Sequence, residues 1–326
     1  MTYTVLIRPV LEYGCQVYQL SSQTNLNKLE RVQLSAARII TGLRSCCPKA
    51  IVLYEADLQP LSMRIRTNSA KYIAKLQSLE SFNRTSKFIL QWTSNHQRLK
   101  KYSPVGVMWK RGLLDFNIEP CIPFSCLTPN TSLDRVSFSD QLLTSASKHT
   151  RYPEMMRQLS LELINNIPSQ ALVLYTEGNK SDSGRTGSGI YAKAEDGLVF
   201  RCRFRNPDNC SVFRSELLAI REALNFALHF ENNDIYILTD SKSSIQYLKN
   251  WPEFREKTDQ EVISKISTLS QKSRVCFQWI PSHVGVFGNE EADVLSKEGS
   301  ALPFATSSEL FTSEIYSIQK AKANSA

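Results

Sequence analysis

The chain has 326 residues, 42% hydrophobic and 21% charged, a length that suits two domains and a balance that excludes wholesale disorder and a membrane bundle. Its charge is unevenly placed: residues 1–170 hold 21 Lys+Arg against 11 Asp+Glu, a net +10, whereas residues 171–326 hold 18 against 20, a net −2. A basic half beside a mildly acidic one points to a polyanion-binding surface joined to a domain whose carboxylates have a separate task.

No stretch approaches the roughly 18 consecutive apolar residues of a spanning helix, and Arg8 and Glu12 break the apolar run from Met1 to Leu20. Neither a signal peptide nor a membrane anchor is expected. The eight cysteines, Cys15, Cys46, Cys47, Cys121, Cys126, Cys202, Cys210 and Cys276, show no Cys-x-x-Cys spacing. That argues against a zinc site and for reduced, partly buried thiols.

Around Asn27 to Leu43, the residues Leu26, Leu29, Val32, Gln33, Ala36 and Ile40 recur at three- and four-residue spacing, with Lys28, Arg31 and Arg38 off that stripe. This predicts an amphipathic helix ended by Gly42. A second is expected from Ser62 to Leu79 and a third apolar-plus-basic stretch from Phe88 to Lys101, so residues 1–118 read as a small basic all-helical region. Residues 119–168 are interrupted by Pro120, Pro123, Pro129, Pro153 and Pro168 among many Ser and Thr, and read as a connector with a short helix from Glu154 to Ile164.

After Gln170 the texture changes. Ala171–Tyr175, Gly187–Ala192 and Leu198–Phe204 read as three successive antiparallel strands. In the third, Arg201, Arg203 and Arg205 share one face, read as solvent-facing. Ser211–Phe230 is a helix with Ser211 as its N-cap, Asp234–Leu238 a buried strand, Ser241–Asn250 and Gln260–Leu269 helices, Val275–Ile280 a strand and Glu290–Lys297 a closing helix. The order β-β-β-α-β-α-α-β-α predicts an α/β domain over residues 169–300: a mixed five-stranded sheet with helices packed on it, followed by a flexible tail over 301–326.

Four carboxylates stand at working ends of these elements: Glu177 just past the first strand, Glu216 in the first long helix, Asp240 at the carboxyl end of DIYIL, and Asp293 in the last helix. Ligands of open α/β sheets gather near the carboxyl ends of strands. For Asp240 a second reading stays open, that it caps the helix beginning at Ser241.

The blocks YTEGNK (Tyr175 to Lys180), RSELLAIREAL (Arg214 to Leu224), ILTDSKSSI (Ile237 to Ile245) and WIPSHVGVFGNEEAD (Trp279 to Asp293), in this order, resemble the type 1 ribonuclease H domain, especially the version carried by non-LTR (LINE-like) retrotransposons. TVLIRPVLEYGCQVY (Thr4 to Tyr18) and LNKLERVQLSAARIITGLRS (Leu26 to Ser45) are similar, more loosely, to the thumb-side tail after the reverse-transcriptase palm of the same polyproteins. No Asp-Asp pair occurs in the chain, so the polymerase's catalytic carboxylates are missing and no DNA synthesis is expected. The resemblance is to the C-terminal fragment of such a polyprotein.

That resemblance implies a ribonuclease H-like fold and Mg²⁺-dependent endonucleolytic cleavage of the RNA strand of RNA/DNA hybrids. Two ions, for which Mn²⁺ can substitute, serve such chemistry, and no small-molecule cofactor or membrane partner is implied. Glu177 would bridge the ions, Asp293 would help hold the one that activates water, and Glu216 with Asp240 the one facing the leaving 3′ oxygen. His283, between Pro281 and Gly285, matches the family's loop histidine, which assists proton transfer and product departure. Gly178, Asn179, Arg214 and Lys242 are the candidate nucleic-acid contacts. An intracellular, nuclear home follows only from the same likeness, and oligomeric state is unreadable.

Two positions depart from the family pattern: Glu177 stands where Asp is usual, and Asn179 where Ser is usual. Glu reaches about 1.5 Å further, against a catalytic tolerance of about 0.5 Å, so metal binding is expected to persist and turnover to weaken. The rival expectation is a catalytically inactive nucleic-acid-binding remnant. An integrase or transposase of the same broad superfamily fits the block order less well.

Overall fold

A computed structural model describes residues 2–79, 83–88, 118–119, 133–142, 152–193, 199–230, 233–251, 256–305, 309 and 311–324. The chain divides into two units, Met1–Pro120 with Leu310–Ala326, and Cys121–Glu309.

The first unit is helical where described. A π-helical turn, Tyr3–Ile7, leads into α1 (Arg8–Glu12), α2 (Cys15–Tyr18), α3 (Gln23–Thr41), α4 (Lys49–Glu55) and α5 (Leu61–Ser78). Ser22 caps α3 by accepting from the Asn25 N–H at 3.4 Å, and Gly42, at φ 70°, ends it as expected. The buried face keeps Gln33 of the expected stripe but otherwise shifts to Leu34 and Ala37, whereas Val32 and Ile40 are 45% and 55% exposed. Gln33 shapes that face because both ends of its amide are satisfied. Its Oε1 accepts from Tyr3 Oη at 2.8 Å and its Nε2 donates to the Gln59 carbonyl at 2.7 Å.

α5 begins under the carboxylate of Glu30, which accepts from the backbone N–H groups of Leu61 and Ser62 at 3.2 and 3.0 Å. An acid reaching from another helix thus does the work of an N-cap. The expected third helix, Phe88–Lys101, lies almost wholly outside the described residues. The segment read as a flexible tail contains a helix instead, Thr312–Asn324, which buries Ile315 against Ala74 beside Ile118 and Ile318. Glu314 accepts from the Phe311 N–H at 2.9 Å at its start. Phe311, Ile315 and Ile318 have the spacing of a helix face, a signal too short to stand out in the sequence.

In the second unit the strands are β1 (Val136–Ser139), β2 (Leu172–Lys180), β3 (Thr186–Lys193), β4 (Val199–Arg205), β5 (Ile235–Thr239) and β6 (Val275–Trp279). The helices are α6 (Pro153–Asn165), α7 (Val212–Ala227), α8 (Lys242–Lys249), α9 (Lys257–Ser270) and α10 (Phe287–Ala301). The sheet order is β1-β6-β5-β2-β3-β4, with β2, β3 and β4 antiparallel and the β1–β6, β6–β5 and β5–β2 pairs parallel.

The sheet has six strands rather than five. The additional strand comes from the connector, where VSFS pairs residue for residue with Val275–Gln278 and Phe138 stacks on Phe277 at 5.1 Å. The connector is therefore partly built into the domain.

Strand alternation divides the apolar residues between the two faces. On one face Leu172, Leu174, Ile190, Ile235, Ile237, Val275 and Phe277 pack with α7, α8 and α9 into the main core. On the other, Tyr175 and Tyr191 meet Ala292 and Leu295 of α10, and Tyr236 and Leu238 join Ile164 and Ile167 of the connector and Val284 and Val286 of the following loop. α10 lies directly on β3 because Gly187 and Gly189 lack side chains. A Cβ on Gly189 would stand 2.2 Å from the Ala292 carbonyl oxygen.

Candidate active site

Register brings the first two acids together. Thr176 of β2 stands opposite Thr239 of the parallel strand β5, so the residues that follow, Glu177 and Asp240, are neighbours. The sequence placed Glu177 just past its strand. The structure continues β2 to Lys180, so Glu177 is held by pairing with Gly189. The third acid arrives by a close helix approach: α7 passes over Gly178 so tightly that a Cβ there would lie 2.5 Å from the Glu216 nitrogen. Glycine at 178 is thus what lets Glu216 sit over the strand end.

Glu177, Glu216 and Asp240 each offer a carboxylate oxygen within 4.8 Å of the other two. The alternative for Asp240 falls away, because Ser241 caps α8, its side chain accepting from the Ser244 N–H at 3.3 Å. The Asp240 backbone is fixed from the other side, its carbonyl accepting from Trp279 Nε1 at 3.0 Å.

Three carboxylates brought this close under the protein surface repel, and burial disfavours their charge. Desolvation first, then Glu216, Asp240 and Asp293, push the Glu177 carboxyl up to about 11, with a hydrogen bond to Asp240 adding to the effect. Glu216 is raised well above the ordinary carboxylate value by burial and by Asp240, against a lowering hydrogen bond from the Gly178 backbone. Glu177 Oε2 and Glu216 Oε2 are buried without a hydrogen-bond partner among the described residues. Such a donor set, all hard oxygens with unused lone pairs, fits a divalent cation such as Mg²⁺.

Asp293, the fourth predicted acid, lies beside this group. It is near enough to Glu177 to raise its pKa, but its own close neighbours are His283 and Glu290, with ligand atoms within 4.8 Å of one another. Its Oδ2 accepts from Lys297 Nζ at 2.6 Å. Lys297 lies outside the residues expected at the site, although an acid followed four residues later by a base on one helix is a recognisable signal. His283 is exposed in the 281–286 loop, in the left-handed region at φ 54°.

The candidate nucleic-acid contacts divide. Gly178 is buried and Asn179 partly exposed at the strand end, and Lys242 lies over the Trp279 ring, 3.9 Å from its centroid, close to Asp240 in sequence. Arg214 is corrected: it is 2% exposed, and its Nη1 donates to the Glu309 carbonyl at 2.6 Å, so it ties down the segment after α10 and does not face solvent. The arginine row of β4 is not free either. Arg201 pairs with Glu291 at 2.9 Å, Arg203 with Glu298, and Arg205 with Asp208 and the Pro303 carbonyl.

Residues 169–301 match the RNase H family. The C-terminal half of the chain carries an RNase H domain. Ribonuclease H1 of Rattus norvegicus is 29% identical over 169 residues, 47% of this chain and 59% of that protein. Ribonuclease H1 of Homo sapiens is 30% identical over 144 residues, 40% of this chain and 50% of that protein. The chain thus spans between a half and three-fifths of the curated relatives it matches. Two solved structures are also similar: RNase H1 from the archaeon Halobacterium salinarum NRC-1, at 19% identity over 40% of this chain and 96% of the other with a TM-score of 0.32, and an N-terminal RNase H domain from Mycobacterium tuberculosis, at 16% over 40% and 98% with a TM-score of 0.33. The three converging acids of this domain lie in the second half of β2, directly after β5 and near the start of α7.

Proposed function

We propose that the chain is a divalent-metal-dependent endonuclease that hydrolyses the RNA strand of RNA/DNA hybrids. The observation that carries this reading is the meeting of Glu177 of β2, Glu216 of α7 and Asp240 directly after β5, with two buried oxygens unpartnered among the described residues. Burial without a cation makes that arrangement costly.

Glu177, Glu216, Asp240 and the adjoining Asp293 would hold the metal. Divalent cations bound there supply the charge that acidifies a water and stabilises a leaving oxyanion. A fourth acid beside three supports two ions rather than one. The chain's own residues do the rest. Glu177 and Glu216, whose protonated forms burial favours, would give up those protons on holding a cation, Asn179 and Lys242, each two residues after an acid, would contact the sugar-phosphate backbone, and His283, in an exposed turn, would assist proton transfer. Selection of a hybrid requires 2′-hydroxyls on one strand and their absence on the other.

A second reading, a catalytically weakened remnant, has one observation in its favour: Glu177 carries an additional methylene and hydrogen-bonds to Asp240. Cleavage of a labelled hybrid with Mg²⁺ or Mn²⁺ separates the two. Wild-type cleavage lost in Asp240→Asn supports the nuclease, and an unchanged rate in that variant refutes it. No wild-type cleavage, restored by Glu177→Asp, supports the remnant. The retrotransposon origin and the intracellular setting rest on the sequence blocks of both halves, and go with either reading.

A further inference from the structure

The loop that presents His283 is gripped from both sides at Gly285. The Gly285 N–H donates to Glu290 Oε1 of α10 at 3.2 Å, and the Gly285 carbonyl accepts from Arg157 Nε of α6 at 3.3 Å. The arginine side chain lies close against this residue: a Cβ on Gly285 would stand 3.2 Å from Arg157 Nε and 3.4 Å from its Cδ. Gly285 is at φ 77° and His283 at φ 54°, so the loop contains two left-handed residues, a conformation that surrounding contacts must hold in place. Apolar packing supplies a second, independent hold. Val284 and Val286 share a cluster with Ile164 and Ile167, which belong to α6 and the residues following it.

α6 precedes the family match, which begins at residue 169. We propose that Arg157, acting from this preceding helix with Glu290 opposite, is a positioning residue that fixes the His283 loop, so that the segment before the RNase H domain is part of its catalytic apparatus. The side chain bonds to the loop backbone and, among the described residues, makes no hydrogen bond or ion pair with the four acids. Its effect therefore runs through where His283 stands, and small displacements of a catalytic group cost rate steeply.

The test uses the full chain with Arg157→Ala and Arg157→Lys. Amide hydrogen exchange across 282–286 reports the loop without requiring activity. Arg157→Ala is expected to speed it by about fivefold or more and Arg157→Lys, which keeps a donor, by less. The cleavage arm rests on the proposed hybrid hydrolysis: kcat in Arg157→Ala should fall about three- to tenfold with KM within about twofold. In a His283→Ala background the same change should cost nothing further, because both act at one point. Exchange unchanged in Arg157→Ala overturns the clamp. A cleavage loss that multiplies in full with that of His283→Ala overturns the route through the histidine. Absence of all cleavage would count against the proposed function and leaves the exchange result to decide the clamp.

Discussion

The side chain at 177 is one methylene longer than the family pattern, yet its carboxylate still joins those of Glu216 and Asp240 within 4.8 Å. Burial first, then the neighbouring acids and a hydrogen bond to Asp240, favour its protonated form. That has a consequence for stability. With a folded pKa of about 11 against an ordinary 4.5, Glu177 binds more proton in the folded chain than in the unfolded one throughout that window, and Glu216 is shifted in the same direction. Stability linked to these groups is therefore present at low pH and lost as pH rises from about 4.5 towards 11. Melting of the metal-free protein at pH 5, 7 and 9 in a chelating buffer should show Tm falling across the series. Added Mg²⁺ should raise Tm most at pH 9, where cations replace the missing protons. Glu177→Gln should flatten the dependence, and a Tm that climbs with pH in the metal-free protein would contradict it.

Elements were readable where one kind of pattern ran unbroken. The apolar run before Asp240 gave β5, and the apolar face after Ser211 gave α7 with its cap, so two of the three converging acids could be placed from their elements. β2 was underestimated because Thr176, Glu177, Gly178 and Asn179 are polar or small. A strand that ends in a site carries the site's chemistry, not a strand's composition. Arg214 misled for the opposite reason: a guanidinium beside an acid in sequence looks like a surface contact until its 2% exposure and its backbone partner are seen. β1 was hidden by having two apolar residues in four. Its place in the sheet leads to a specific expectation. Phe138→Ala removes the ring stacked on Phe277, at the partly exposed sheet edge, and should destabilise the RNase H domain by about 1–2 kcal/mol. Denaturant unfolding read out by a probe in that domain would show the shift, whereas a connector that merely tethers would leave the midpoint unmoved.

The molecule as a whole combines an acid-centred domain with a helical unit that supplies most of the net positive charge. In that unit Lys28 and Arg31 of α3 and Lys71 and Lys75 of α5 are exposed, each pair at helical spacing and on one side of its helix. Cations placed this way can neutralise phosphates and release condensed counterions, so they would contribute affinity without sequence preference. Replacing both Lys71 and Lys75 by Ala tests whether they do. If both meet phosphates, the plot of log affinity against log salt for a hybrid should lose about 0.7–0.9 of slope per contact, and affinity near 0.1 M salt should drop by several-fold. The same loss should appear with double-stranded DNA, since phosphate contacts carry no sequence or sugar information. Cleavage at saturating hybrid should be untouched, because neither lysine belongs to the acid group. An unaltered salt slope would mean that the basic half is a solvated surface.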